Sequence, residues 1–152
     1  MNKGLILAGH DISAGGLITT LLEMCFANVE GGMEISLDKM KEQDIIKILF
    51  AENPGIVIQI SDKHKEEVKK ILEDAGVGFV KLGKPTDERH ILVSKGDATY
   101  QFGVDYMRDV WYSSSYLLDR KQSMNGCAKK RFENYKMQPV EFAFMPGFKG
   151  KL

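Results

Sequence analysis

Residues 9–17 contain the residue types in this chain that are best suited to chemistry: a histidine, an aspartate, a serine and two adjacent glycines. They join an apolar run, residues 4–8, to an amphipathic run, residues 17–27, which predicts a strand, a tight polar turn and a helix. Free N–H groups at the start of a helix, together with the helix dipole, favour a phosphate or another anion at that position. The pattern therefore predicts an anion-binding turn.

Each polar residue of this turn has a candidate role. Asp11 and Ser13 are residue types that cap helices, because their side-chain oxygens accept hydrogen bonds from the first helical N–H groups. Gly15 and Gly16 lack side chains, so a ligand can approach the backbone. His10, at the end of the strand, can donate to a bound anion or move a proton. The alternative is a capped turn whose glycines serve only close packing, since short glycine-rich stretches give many chance matches.

Composition narrows the classes of protein to consider. A chain of 152 residues suits one domain with a substantial core. Its 21 basic and 21 acidic residues cancel without a basic block, which argues against nucleic acid or an anionic membrane as a partner. No apolar run reaches the length of about 20 residues that a membrane span needs. Cys25 and Cys127 form neither a disulfide framework nor a metal knuckle, so we expect a reducing, cytoplasmic setting.

The remaining pattern predicts alternating strands and helices. Strands are expected over residues 4–8, 33–37, 56–60 and 77–82, and a hairpin over 90–94 and 98–102; helices are expected over 17–27, 43–50, 63–74 and 104 to about 123. Gly83-Lys84-Pro85 is expected to end the fourth strand. This order implies an α/β or α+β domain in which helices cover a mixed sheet. Residues 127–152 show no sustained period and are expected to form an extended tail or linker.

Three segments resemble, in the same order, the phosphoribosylformylglycinamidine synthase (FGAM synthetase) family of the aminoimidazole ribonucleotide (AIR) synthetase-related superfamily. Residues 9–17 resemble its His-Asp-x-Ser-x-Gly-Gly-Leu signature, and residues 50–60 resemble a Phe-x-Glu-x-x-Gly turn into a core strand. Residues 107–122 are similar to a Trp-containing helix near the end of the synthetase region in the large, single-chain form. The resemblance covers residues 4–122.

The resemblance implies a position within that enzyme. Residues 1–124 would be the C-terminal subdomain of the second synthetase half, a three-layer sandwich in which helices flank a mixed β-sheet, as in the AIR synthetase C-terminal domain. Residues 125–152 would be an extended tail or linker toward a glutaminase domain that this chain lacks. An upstream ATP-binding subdomain would be the other partner within the polypeptide. Because the glutaminase centre would lie downstream, Cys127 is no candidate nucleophile.

The resemblance also implies a reaction and roles for residues. The whole enzyme uses ATP and glutamine-derived ammonia to convert formylglycinamide ribonucleotide to formylglycinamidine ribonucleotide. ATP and Mg2+ would serve the full-length enzyme, and no cofactor is expected to bind tightly to this chain alone. His10 would be the catalytic group near the reacting amide, and no residue is assigned to a metal. The residues expected to bind the substrate or its phosphate are Asp11, Ser13, Gly15, Gly16 and Glu52, of which Glu52 has the alternative of an exposed carboxylate at a helix end.

One position departs from the family pattern. Many members carry an acidic residue where this chain has Ala14, which puts metal binding by the turn in doubt. A non-catalytic nucleotide-binding or pseudo-symmetric structural module of the same superfamily is therefore an alternative. A selenophosphate or thiamine-phosphate synthesis enzyme is another, although it should lack the helix at residues 107–122. An isolated subdomain exposes apolar surface, so a homo-oligomer is also expected.

Overall fold

The computed structural model describes residues 4–137 and shows strands and helices that alternate along the chain. The strands are β1 (Ile6–Ile12), β2 (Gly32–Ser36), β3 (Gly55–Ile60), β4 (Gly83–Thr86), β5 (His90–Lys95) and β6 (Ala98–Gly103). The helices are α1 (Gly16–Phe26), α2 (Ile45–Phe50), α3 (Lys65–Asp74), α4 (Val104–Gln122) and α5 (Cys127–Glu133). The predicted α/β class with a mixed sheet is confirmed.

The strands form two sheets. In the four-stranded sheet the order is β4-β2-β5-β6, with β2 parallel to β5 and the other two pairs antiparallel. β1 and β3 form a separate antiparallel pair in which His10 lies opposite Val57 and Asp11 opposite Ile56. This pairing continues to Ile12, so β1 extends beyond the predicted residues 4–8 and includes His10 and Asp11.

The strand predicted over residues 77–82 is wrong. The strand in this region is β4, which contains the Gly83-Lys84-Pro85 segment that was expected to end it. Among the strands of residues 4–137, β4 pairs only with β2 and is therefore an edge strand. A proline is tolerated at an edge because no neighbour needs its missing N–H. Val77 and Phe79 remain 50% and 44% exposed, respectively.

The core forms between α1 and the inner face of the four-stranded sheet. From α1, Leu17 and Leu21 are buried, and from the sheet Ile35, Ile91 and Val93 are buried in the same cluster. Helical spacing on one side and alternation on the other bring these apolar faces together. The first helix and the β5–β6 hairpin follow the sequence prediction closely because both carry this periodicity.

Arg89 anchors the far end of α1. Its Nη1 donates to the carbonyl oxygens of Cys25 at 3.0 Å and Gly31 at 3.2 Å, and its Nε lies 2.9 Å from an Asp105 carboxylate oxygen. A cation at a helix C-terminus is stabilised by the helix dipole and by the free carbonyl groups there. Arg89 therefore connects the end of α1 with the beginnings of β2 and α4.

The chain divides into two compact units, Met1–Val110 and Trp111–Leu152. In the second unit the Phe132 ring stacks on Tyr116 with centroids 4.5 Å apart, and Arg131 Nε donates to Asp119 at 3.0 Å. The prediction of an extended tail is wrong for residues 127–133, because these contacts stabilise helix α5 there. The rest of that tail, residues 138–152, lies outside the described residues, and the predicted domain boundary at residue 124 stays a prediction.

The β5–β6 turn is connected to the end of β2 through Asp38. One Asp38 carboxylate oxygen accepts from the Gly96 N–H at 2.8 Å, and the other accepts from the Ser36 hydroxyl at 2.8 Å. These two hydrogen bonds, the backbone one first, lower the pKa of the Asp38 carboxyl. The charged carboxylate thereby stabilises the folded state.

We expect Asp38→Asn to reduce the loss of stability in acid. Because the pKa of Asp38 is lowered on folding, its contribution is complete above the unfolded value of about 3.9 and is lost as the pH falls through the lower folded value. Urea unfolding of the wild type and the variant between about pH 3 and pH 7 measures the difference. Asp87→Asn, at an exposed position before β5, is the control, and equal pH profiles for Asp38→Asn and wild type would contradict the assignment.

Candidate functional site

The predicted strand, turn and helix are present at residues 6–26. β1 ends at Ile12, and α1 begins at Gly16 with Gly15 as its N-cap. Gly15 and Gly16 have φ values of 83° and 73°, in the left-handed region that favours glycine. The Gly16 N–H donates to the Ser13 carbonyl at 3.0 Å and closes the turn.

Glu52 reaches this turn from the segment after α2. Its Oε1 accepts from the Gly15 N–H at 2.9 Å, although 37 residues separate the two in sequence. The structure therefore brings Glu52 together with the glycines of the turn, as expected if Glu52 belongs to the predicted site. Glu52 is exposed. Its carboxylate accepts the hydrogen bond that the Gly15 N–H could otherwise donate to an anionic ligand.

The predicted capping by Asp11 and Ser13 is wrong. The N-cap residue is Gly15, which has no side chain of its own to accept from the first helical N–H groups. Asp11 is a strand residue whose side chain is 71% exposed, because β1 continues through it. Ser13 is exposed and contributes its carbonyl to the turn.

His10 is held between β1 and α1. Its Nδ1 lies 2.8 Å from the Asp11 carbonyl oxygen, and its Nε2 lies 3.2 Å from Glu23 Oε2. The side chains of His10 and Glu23 are 32% and 25% exposed. Glu23 was not predicted from the sequence, although a single carboxylate within the apolar stretch of α1 was a usable signal.

Thr20 is a second residue that the sequence analysis missed. Its hydroxyl donates to the Asp11 carbonyl at 3.0 Å, with the Gly16 carbonyl oxygen at 3.3 Å, and the residue is 2% exposed. Thr20 and Glu23 are three residues apart and lie on one face of α1. Together they connect that face to the end of β1.

Gly16 also has a purely steric role. A Cβ added to Gly16 would lie 2.7 Å from the Leu49 carbonyl oxygen and 2.9 Å from Phe50 Cα. The start of α1 and the end of α2 therefore meet backbone to backbone. Close packing alone is sufficient reason for glycine at this position.

Among residues 4–137 no cluster of three or more histidine, cysteine or acidic side chains could hold a metal ion. Burial raises the pKa of the Cys25 thiol despite the neighbouring charge of Arg89.

A surface cavity of about 450 Å³ lies away from the turn, on the outer face of the four-stranded sheet. Within residues 4–137 no helix is long and apolar enough to cross a membrane.

Comparison with known proteins relates the chain to one family. The family model described as "AIR synthase related protein, C-terminal domain" matches residues 1–95. The chain is 34% identical to human phosphoribosylformylglycinamidine synthase over 127 residues, which is 81% of the chain and 9% of that protein. It is 33% identical to a probable phosphoribosylformylglycinamidine synthase of Arabidopsis thaliana over 138 residues, 90% of the chain and 10% of that protein.

A solved structure shows the same fold. T. maritima PurL complexed with ATP has a TM-score of 0.59 and 17% sequence identity, and the match covers 68% of this chain and 19% of PurL. The chain spans about a tenth of the length of the two curated relatives above. It therefore corresponds to one part of much longer proteins.

We expect Gly16→Ala to destabilise the fold more than a matched glycine substitution. Gly76 also has a positive φ, 67°, but an added Cβ meets nothing within 4 Å. Gly76→Ala should cost about 1 kcal/mol for its backbone conformation, and Gly16→Ala should cost about 1–3 kcal/mol more because its Cβ meets α2. Chemical denaturation of both variants measures the difference, and equal losses would show that the α1–α2 approach is not tight.

We expect Thr20→Val, which preserves shape, to lower the free energy of unfolding by about 1 kcal/mol, because one hydrogen bond to the β1 end is lost. Thr99→Val, at an exposed position on β6, is the control and should change stability little. Thermal unfolding of both variants provides the measurement. A neutral Thr20→Val would show that this hydroxyl does not help to hold the turn.

Proposed function

Because the chain belongs to the family described as "AIR synthase related protein, C-terminal domain", which matches residues 1–95, we propose that it is part of a phosphoribosylformylglycinamidine synthase. Residues 1–124 would form the C-terminal subdomain of the second synthetase half, and residues 125–152 would lead toward a glutaminase domain. The alignments with the human and Arabidopsis proteins support this proposal because each covers at least 81% of the chain.

In this proposal the whole enzyme is a cytoplasmic ligase of purine biosynthesis. ATP activates the amide oxygen of formylglycinamide ribonucleotide as an iminophosphate, and ammonia released from glutamine displaces phosphate to give formylglycinamidine ribonucleotide. The upstream subdomain would bind ATP, and the downstream glutaminase domain would release ammonia from glutamine. This chain alone would therefore lack synthetase activity, and its uncovered apolar surfaces favour self-association.

The chain's contribution would be the turn at residues 13–16, which would receive a phosphate. The observation that supports this role is the Gly15 N–H, which already holds an oxyanion, the Glu52 carboxylate, at 2.9 Å. A phosphate oxygen offers the same hydrogen-bond acceptor with more charge. A ligand phosphate would therefore replace Glu52 at this N–H.

His10 would act as a stabiliser of negative charge in the same site. Both of its ring nitrogens already lie near oxygen acceptors, the Asp11 carbonyl and the Glu23 carboxylate. These contacts fix the orientation of the ring beside the turn before a ligand binds. Asp11, which is largely exposed, would contribute through its backbone.

The residues of this turn do not fit Mg2+. The side chain of Ala14 has no atom that could bind a metal, and residues 4–137 contain no group of three or more histidine, cysteine or acidic side chains that could hold one. Any Mg2+ that accompanies ATP would have its ligands in other parts of the full-length enzyme. No step of the proposed role of this chain involves the metal.

A non-catalytic structural module of the same superfamily is the second candidate. Two observations favour it: the turn contains Ala14, which has no polar side chain, and glycine is required for steric reasons at residue 16. Such a module would keep the strand, turn and helix without binding a phosphate. Because Gly16 also serves packing, substitution of this residue cannot separate the two candidates.

We expect Glu52→Gln to bind phosphate ligands severalfold more tightly than the wild type, because a competing negative charge is removed from the Gly15 N–H. NMR titration with formylglycinamide ribonucleotide, and separately with ADP, would follow the amides of residues 13–17. Glu66→Gln on the exposed face of α3 is the control, since its side chain is 80% exposed.

The two candidates predict different results. Selective shifts at residues 13–17, stronger in Glu52→Gln, would support a phosphate-binding role. The absence of shifts at residues 13–17 in both the wild type and Glu52→Gln, with formylglycinamide ribonucleotide and with ADP, would favour the structural module. ATP-dependent turnover by this chain alone would contradict the proposal that it is one part of a larger ligase.

A further inference from the structure

A second surface cavity is lined mainly by lysines. Its volume is about 420 Å³, and four of its seven lining residues are Lys39, Lys65, Lys69 and Lys81. The lining contains one carboxylate, that of Glu66. These lysines come from three separate parts of the sequence, so the sequence itself shows no basic block. The cluster is therefore a product of the fold.

Helix α3 and the segment after it form one side of the cavity. Lys65 and Lys69 are one helical turn apart and lie on the same face of α3. At the end of this helix the Val77 N–H donates to the Leu72 carbonyl at 2.9 Å. The chain then returns, and residues 79–81 line the cavity together with the two helical lysines.

The end of β2 supplies the remaining lysine. The Ser36 N–H donates to the Leu82 carbonyl at 2.7 Å, which continues the pairing of β2 with β4 by one residue. Lys81 directly precedes Leu82, and Lys39 follows shortly after Ser36. This hydrogen bond therefore places Lys81 and Lys39 at the same end of the sheet.

Positive charge exceeds negative charge around this cavity. Among residues 4–137, Lys39 and Lys81 form no ion pair. Lys65 and Lys69 each have one glutamate nearby, but the distances are 4.0 Å and 3.8 Å and both lysine side chains are 50% exposed. Like charges that are held close together repel each other. An anion in the cavity would offset this repulsion.

An apolar wall completes the cavity. Phe79 and Val80 are 44% and 42% exposed, and both line it. They belong to residues 77–82, where a strand was expected and none forms. Sites for small molecules have volumes of about 300–1,000 Å³ and combine apolar walls with a few polar groups. The lining contributed by the described residues has no hydroxyl or amide side chain, so it selects charge and not the identity of a base or sugar.

We propose that this cavity binds a polyphosphate chain, either free or as the tail of a nucleotide. A single exposed ion pair contributes little, so a singly charged anion gains little here. A polyphosphate chain contacts several ammonium groups at once, and these small contributions add. The cavity shares no residue with the turn at residues 13–16, so this site does not depend on the proposed function.

NMR titrations of the full chain with inorganic triphosphate, ATP and AMP test the proposal at the amides of residues 65–69 and 79–81. We expect triphosphate and ATP to bind at least about fivefold more tightly than AMP, because AMP has a single phosphate. Binding of both should weaken severalfold as the salt concentration rises from about 0.05 M to 0.3 M. The absence of shifts at these amides, or equal affinity for AMP and ATP, would overturn the proposal.

The same titrations distinguish the two sources of a polyphosphate chain. Tighter binding of ATP than of triphosphate, lost in Phe79→Ala, would identify a nucleotide whose base or sugar packs on the apolar wall. Equal binding of the two ligands would identify the polyphosphate chain itself. Both results support the site.

The double variant Lys39→Gln/Lys81→Gln tests the cluster directly, since it removes the two lysines that form no ion pair in the described chain. We expect it to bind triphosphate at least about fivefold more weakly than the wild type. The matched control is Lys63→Gln/Lys70→Gln, which removes the same charge from exposed lysines outside the cavity lining. Equal weakening in the two variants would reflect net charge alone and would overturn the proposal.

A variant that adds affinity keeps the proposal testable if the double variant fails to fold. Glu66→Gln removes the carboxylate of the lining, so triphosphate should bind it about twofold more tightly and raise its Tm further than that of the wild type. An equal or smaller rise in Tm would count against the site. Because residues 13–17 report on the turn, failure at the cavity is distinguishable from failure of the proposed function.

Discussion

The backbone contact between the start of α1 and the end of α2 determines the geometry of the turn. Gly16 approaches the Leu49 carbonyl so closely that a methyl group would not fit between them. This approach brings the chain after α2 beside the turn, so Glu52 can accept from the Gly15 N–H. The contact therefore serves packing and site geometry together, and substitution of this glycine would change both.

The other end of α1 is held by a different kind of interaction. Arg89 binds the carbonyl groups of Cys25 and Gly31 and the carboxylate of Asp105. The helix is thus held by close packing at its first turn and by a cation at its last turn. With both ends held, the side chains of Thr20 and Glu23 meet the end of β1 at defined positions.

The sequence predicted the elements that carry a strong local pattern. The apolar spacing of α1, the glycine turn of the β5–β6 hairpin and the helix that begins at Val104 all agree with the structure. Features that depend on distant neighbours were missed: β4 exists because β2 pairs with it, and α5 forms with the contacts of Arg131 and Phe132. At the site, the sequence predicted the turn, but the contact between His10 and Glu23 depends on how α1 lies against β1.

The pairing of β1 with only β3, among the strands of residues 4–137, has a consequence for local stability. A two-stranded ribbon is marginally stable by itself, and Ile56 on its exposed face is 74% exposed. The turn therefore joins a two-stranded element with an exposed face to a helix that belongs to the core. Hydrogen exchange would divide at this turn, with fast amides before it and protected amides after it. A partner that covers the ribbon would then tighten the site without touching it.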